Sequence, residues 1–225
     1  MRSYIEVKNV SKSFGGRAIL QDASLSIEQG TTVGLVGANG SGKSVLFKIL
    51  CGFEKPDRGS VYVRGKQLGK NGCDFPEGLG VFINSPGFIG IYNGFQNLKF
   101  LADIQGKIGE KEIRQAMSKV GLDPDNKTKA DDYSLGMKQK LGIAQAIMEG
   151  QDILILDEPF NALDYKTYED VKTIIRMLKA EGKTIFLTSH HFKDIEQLCD
   201  QVYSIEDCQL VPITEEIAAH YREMD

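Results

Sequence analysis

The chain has no apolar run approaching the ~18 residues that a bilayer-crossing helix needs, so it is predicted not to span a membrane itself. The first residues, Met1-Arg2-Ser3-Tyr4-Ile5-Glu6, lack the apolar core of a secretion signal. Cysteine is sparse: Cys51, Cys73, Cys199 and Cys208 form no C-x-x-C pair and no zinc spacing. That argues against a disulfide framework and predicts reduced thiols in the cytoplasm. Nor is there a surplus of positive charge, since 27 Lys and Arg against 31 Asp and Glu leave a net charge of −4, with the cations dispersed. No nucleic-acid partner is expected from such a surface. Internal repeats and low-complexity tracts are missing as well. What remains is a globular composition of 225 residues, 41% hydrophobic and 26% charged, able to bury a large core.

The most informative stretch is Gly37-Ala38-Asn39-Gly40-Ser41-Gly42-Lys43-Ser44, which fits the G-x-x-x-x-G-K-[ST] phosphate-binding loop. It follows the apolar run Thr32 to Val36 and leads into Val45-Leu46-Phe47-Lys48-Ile49-Leu50, the strand-loop-helix setting that the motif requires. Gly37, Gly40 and Gly42 let the backbone close on an anion, so that N–H groups and the helix N-terminus surround a phosphate chain. Asn39, Ser41 and Val45 belong to the same cradle. Lys43 is placed to reach the β- and γ-phosphates of a nucleotide, and the Ser44 hydroxyl to ligate Mg²⁺.

Before this loop, Ile5-Glu6-Val7 and Ala23-Ser24-Leu25-Ser26-Ile27 alternate as half-buried strands do, and Val61-Tyr62-Val63 adds a third. Together they predict a small antiparallel sheet. Between the first two, Phe14 precedes the Gly15-Gly16 turn, where it can anchor a loop or offer its face to a base. Leu79 to Ile83 reads as a buried strand. Strand signals then cease from Tyr92 to Gly150, and helical spacing takes over. Apolar strands resume at Ile153-Leu154-Ile155-Leu156 and at Thr184 to Thr188, each followed by a helical stripe. Thr214 to Asp225 reads as a solvated last helix. The fold class predicted is α/β, a P-loop NTPase core of residues 1–84 and 151–225 with an antiparallel β subdomain, and a helical subdomain inserted at about 85–150.

Asp157 and Glu158 end an apolar strand, which brings two acids to the C-terminal edge of a buried sheet. A hard carboxylate oxygen on Asp157 suits Mg²⁺ facing Ser44, and Glu158 can deprotonate the water that attacks a γ-phosphate. His190 follows the next apolar strand and can donate a hydrogen bond to that phosphate, whereas His191 and His220 read as structural. Guanine specificity is not expected, because the nearest stretch to Asn-Lys-x-Asp, Asn126-Lys127-Thr128-Lys129, has Lys129 in place of the acid.

These motifs, in this order, resemble the ATP-binding-cassette (ABC) ATPases. Tyr133-Ser134-Leu135-Gly136-Met137-Lys138-Gln139-Lys140 is similar to their signature loop in its Ser-Leu-Gly-Met variant, Asn161-Ala162-Leu163-Asp164 to the D-loop, and Ser189-His190 to the switch histidine. Phe14 then stands where the base-stacking aromatic is expected. The resemblance implies a RecA-like core and an ATPase using ATP and Mg²⁺, which dimerises head to tail with an identical or different second ABC ATPase subunit. Each ATP would lie between one subunit's phosphate loop and the other's Ser134 and Gly136. A transmembrane permease on another chain is the second implied partner, which would place this chain in the cytoplasm, peripheral on the inner face of the membrane. The signature variant and Asn84 to Phe88 look most like bacterial bacitracin- and lantibiotic-resistance exporters. A soluble ABC ATPase acting on ribosomes or DNA, or a slow ATP-dependent clamp, is the alternative.

Two positions depart from the family pattern. Asn84 replaces the metal-touching glutamine, one methylene shorter, with Gln96 as a more distant alternative. Val45 replaces the usual hydroxyl residue after Ser44 and offers only its backbone N–H.

Overall fold

The computed structural model describes residues 3–83 and 87–224. Asn84, the candidate metal ligand, lies outside the described residues. Ten strands and seven α-helices follow in the order β1 (Ile5–Phe14), β2 (Arg17–Ile27), β3 (Thr32–Val36), α1 (Lys43–Cys51), β4 (Arg58–Val63), β5 (Lys66–Gln67), β6 (Leu79–Phe82) and α2 (Gly94–Gln105) among the described residues. They continue as α3 (Glu110–Lys119), α4 (Leu135–Ile147), β7 (Ile153–Leu156), α5 (Tyr165–Ala180), β8 (Thr184–Thr188), α6 (Phe192–Leu198), β9 (Gln201–Glu206), β10 (Gln209–Pro212) and α7 (Glu215–Met224).

The larger sheet has the order β10-β9-β3-β8-β7-β6, parallel except for the antiparallel edge strand β10. Its central strands read as continuous apolar runs because both of their faces are covered. Alternation within each run selects the face: Val33, Leu35, Ile153, Ile155 and Phe186 pack with α1, while Leu154, Leu156, Ile185 and Leu187 pack with the helices opposite. On the α1 side, the core is closed by the second sheet, β2-β1-β4-β5, which is antiparallel throughout. This is the expected α/β arrangement, a RecA-like P-loop NTPase core with a mixed sheet.

Three local readings change. The stretch 11–14 is strand rather than loop, because β1 runs on to Phe14 through bulges near Asn9, whose φ of 48° breaks the simple alternation. Lys12 is drawn inward there by Glu54 at 2.7 Å and Asp57 at 3.2 Å. Secondly, the hairpin β9–β10 was not expected from the sequence. Polar residues interrupt its short apolar runs, and its pairing with β3 is visible only in the fold. Finally, the last helix is not simply solvated: Ala218 is buried, and the Tyr221 ring stacks on Phe192 with centroids 5.5 Å apart.

Strand order places the site. β3, β8 and β7 are parallel neighbours, so the loops after Val36, Thr188 and Leu156 leave the same edge of the sheet. Motifs more than a hundred residues apart in the chain therefore meet.

Candidate nucleotide site

The phosphate loop is held by backbone geometry that only glycine adopts readily. Gly37 and Gly42 have φ of 144° and 117°, and a side chain at Gly37 would strike Ser41 and the Ile205 carbonyl at 2.7 and 2.8 Å. Gly42 also caps α1, directing that helix's unpaired N–H groups into the loop. Lys43 Nζ donates to the Gly37 and Ala38 carbonyls at 2.6 and 3.2 Å, arching the ammonium over the loop. Burial lowers the Lys43 pKa, with Glu158 and Asp157 opposing that shift. Ser41 Oγ is buried without a hydrogen-bond partner among the described residues, a polar atom suited to a phosphate oxygen.

Behind the loop, the Ser44 hydroxyl donates to Asp157 Oδ2 at 3.0 Å, and the Thr188 hydroxyl donates to Asp157 Oδ1 at 2.7 Å. Thr188 Oγ1 in turn accepts the Glu158 N–H at 2.8 Å. That bond helps to hold Glu158 in the left-handed region, at φ 53°, which is strained for a non-glycine residue. His190 Nε2 lies 2.8 Å from Glu158 Oε2. Thr188 was missed in the sequence, although a hydroxyl closing an otherwise apolar buried strand was the available signal.

Gly37, Asn39, Ser41, Lys43, Glu158 and His190 line one cavity of about 720 Å³. It is also lined by Glu206 at the end of β9, Asp207 in the turn to β10, and His220 and Tyr221 from α7. Phe14 is not among the lining residues. It stands at the β1–β2 turn, 48% exposed, with Lys12 Nζ 5.0 Å from its ring centroid. Gln96 is engaged elsewhere, in the capping box of α2: its side chain accepts from Asn93 N–H at 3.0 Å while the Asn93 side chain accepts from Gln96 N–H at 2.9 Å. Val45 sits partly buried in the first turn of α1.

Ser134 and Gly136 are outside the nucleotide cavity, in a separate hollow of about 270 Å³. Ser134 caps α4, its side chain accepting the Met137 N–H at 3.2 Å.

The ABC transporter family pattern matches residues 20–161. The chain belongs to this family. It is 43% identical, over 87% of its length and 89% of the relative's, to an uncharacterised ABC transporter ATP-binding protein of Bacillus subtilis, YybJ. It is also 35% identical, over 94% of its length and 69% of the relative's, to the bacitracin transport ATP-binding protein BcrA of Enterococcus faecalis. Among solved structures, a dimeric ATP-binding cassette in a post-hydrolysis state bound to ADP and Pi superposes with a TM-score of 0.79. It shares 22% identity over 92% of this chain and 96% of that one.

Within this ABC ATP-binding subunit, Gly136 has a packing duty that its neighbours reveal. A methyl group there would lie 2.4 Å from Thr167 Cγ2, and Thr167 is held by Asp164 through its N–H at 3.1 Å and its hydroxyl at 2.7 Å. Gly136→Ala is therefore expected to destabilise the chain by about 1–3 kcal/mol, the usual cost of overpacking. Urea unfolding would show a lower midpoint, and adding Thr167→Ser should recover part of the loss; an unchanged midpoint would remove the proposed constraint.

Proposed function

We propose that this chain hydrolyses ATP as the motor subunit of a bacterial exporter of the bacitracin- and lantibiotic-resistance kind, with its permease on another polypeptide. The carrying observation is the convergence of Lys43, Ser44, Asp157, Glu158 and His190 at one end of the sheet, with the signature residues Ser134 and Gly136 directed to a different surface. A phosphate loop in one place and an anion-binding helix start in another suit a head-to-tail dimer, in which each ATP is closed over by the partner's α4.

Ser44 Oγ and Asp157 Oδ2 supply hard oxygens 3.0 Å apart, a donor pair that fits Mg²⁺ when phosphates and water complete the shell. Bound there, Mg²⁺ would neutralise phosphate charge. Lys43 and the loop N–H groups bind the β- and γ-phosphates. Glu158 takes a proton from the attacking water as the water oxygen bonds to the γ-phosphorus and the bond to the β-phosphate oxygen breaks, leaving ADP. His190 orients Glu158 and donates to the γ-phosphate. Phe14, outside the cavity lining, is assigned to the base on the family resemblance alone. Once the γ-phosphate leaves, its bridge to the partner's α4 is lost and the dimer opens.

Among the described residues no helix is long and apolar enough to cross a membrane. Exposed Ile89, Ile91, Phe100, Leu101 and Ile104 belong to α2 and the segment leading into it, within the proposed helical subdomain of about 85–150. They suit the permease contact that would hold this chain on the inner face of the membrane. Light scattering should show the mass of the purified chain rising toward the dimer on addition of Mg²⁺ and ATP and falling back as phosphate is released. In its native cells, a tagged chain should sediment with membranes, and an Ile91→Asp, Ile104→Asp double variant should shift to the soluble fraction. A monomer that neither turns over ATP nor follows the membranes would end this reading.

A further inference from the structure

Behind the nucleotide cavity lies a buried polar cluster for which phosphate binding itself has no use. The Asp194 side chain is 0% exposed and Lys172 is 6% exposed, with Lys172 Nζ 3.1 Å from Asp194 Oδ1. The same carboxylate oxygen accepts a hydrogen bond from the Tyr168 hydroxyl, and Oδ2 accepts one from Ser189 Oγ at 2.9 Å. Lys172 is also bonded to Gln197 Oε1 at 2.8 Å. Buried ion pairs of this kind commonly add little net stability over apolar side chains of the same volume, because two charges must be desolvated. Their value is more readily sought in the geometry that they fix.

That geometry converges on His190. Ser189, just before it, donates its hydroxyl proton to Asp194, and the N–H of His191, just after it, donates to Ser189 Oγ at 3.1 Å. Both backbone neighbours of His190 are thus tied to one hydroxyl, and that hydroxyl to one buried carboxylate. Tyr168 also touches the segment that follows Glu158. Its ring packs against Phe160 at 5.4 Å, two residues beyond Glu158. A closed circuit results, running along the chain from Glu158 to Phe160, by contact through Tyr168 and Asp194 to Ser189, and along the chain to His190, whose ring nitrogen returns to Glu158 at 2.8 Å.

We infer that Asp194, with Tyr168 and Ser189, is a positioning group that sets the spacing between His190 and Glu158 during hydrolysis. This rests on the ATPase reading above. Asp194 touches no substrate in this role; it acts through the switch loop.

Tyr168→Phe and Ser189→Ala each remove one bond of the circuit, and the first keeps the ring on Phe160. Each is expected to lower kcat about 10-fold, as sub-ångström to ångström misplacement of reacting groups does, with ATP affinity within about twofold of the parent. Built into a His190→Ala background, neither should lower kcat further, because the group being positioned is gone. Asp194→Asn should behave likewise where it folds, but it leaves the buried Lys172 with Gln197 and no counter-charge, so the other two variants decide. Equal fractional losses in both backgrounds, or parental kcat in both single variants, would overturn the inference while leaving the ATPase reading intact. A parent chain with no turnover would overturn both.

Discussion

Glu158→Gln is expected to slow ATP hydrolysis by about 10²–10⁴-fold, the contribution usual for a positioned general base. The amide is close in shape to the carboxylate but cannot accept the proton of the attacking water. ATP affinity should persist, since Lys43, Ser44, Asp157 and the loop backbone are untouched. So should the fold, because the backbone N–H that holds this residue on Thr188 Oγ1 at 2.8 Å is unchanged. Binding without chemistry would leave the γ-phosphate bridge between two subunits in place, so the variant should accumulate as an ATP-bound dimer on size exclusion while the parent returns to monomer. Rapid-quench single turnover separates this from slow product release. A variant that hydrolyses ATP at the parental rate would assign the base elsewhere.

Much of this site was readable because its parts are contiguous. Gly37 to Ser44, and Asp157-Glu158 after four aliphatic residues, carry their setting with them, and parallel strands buried on both faces announce themselves as apolar runs. The unreadable parts depend on distant pairings. Thr188 is a hydrogen-bond bridge only because β8 lies beside β7, 31 residues from its carboxylate partner. Asp194 looks like an ordinary polar residue on a short helix until α5 brings Tyr168 and Lys172 against it. Similarly, bulges hid the length of β1, since each one moves the following side chains to the other face. Gly136 was legible as a signature residue, but its close approach to Thr167 was not.

Lys43→Ala is expected to weaken ATP binding by about 100-fold or more, because charge-assisted hydrogen bonds contribute roughly 1.5–3 kcal/mol each and the ammonium is proposed to bind two phosphates. The effect should exceed any change in stability, since the lysine's own partners are two carbonyls of a partly exposed loop. Burial lowers the Lys43 pKa against the pull of Glu158 and Asp157, and a triphosphate would raise it again. Affinity in the parent should thus be complete below the free-protein value and decline as pH rises from there toward the bound value. Across that interval, binding takes up a proton. Calorimetry in two alkaline buffers of different ionisation enthalpy would detect the uptake as a buffer-dependent heat. Lys43→Arg, which stays charged throughout, should bind with little pH dependence even if its geometry weakens affinity. Equal alkaline slopes for Arg and Lys would show that the titrating group lies elsewhere, and undiminished affinity in Lys43→Ala would remove this lysine from the phosphate site.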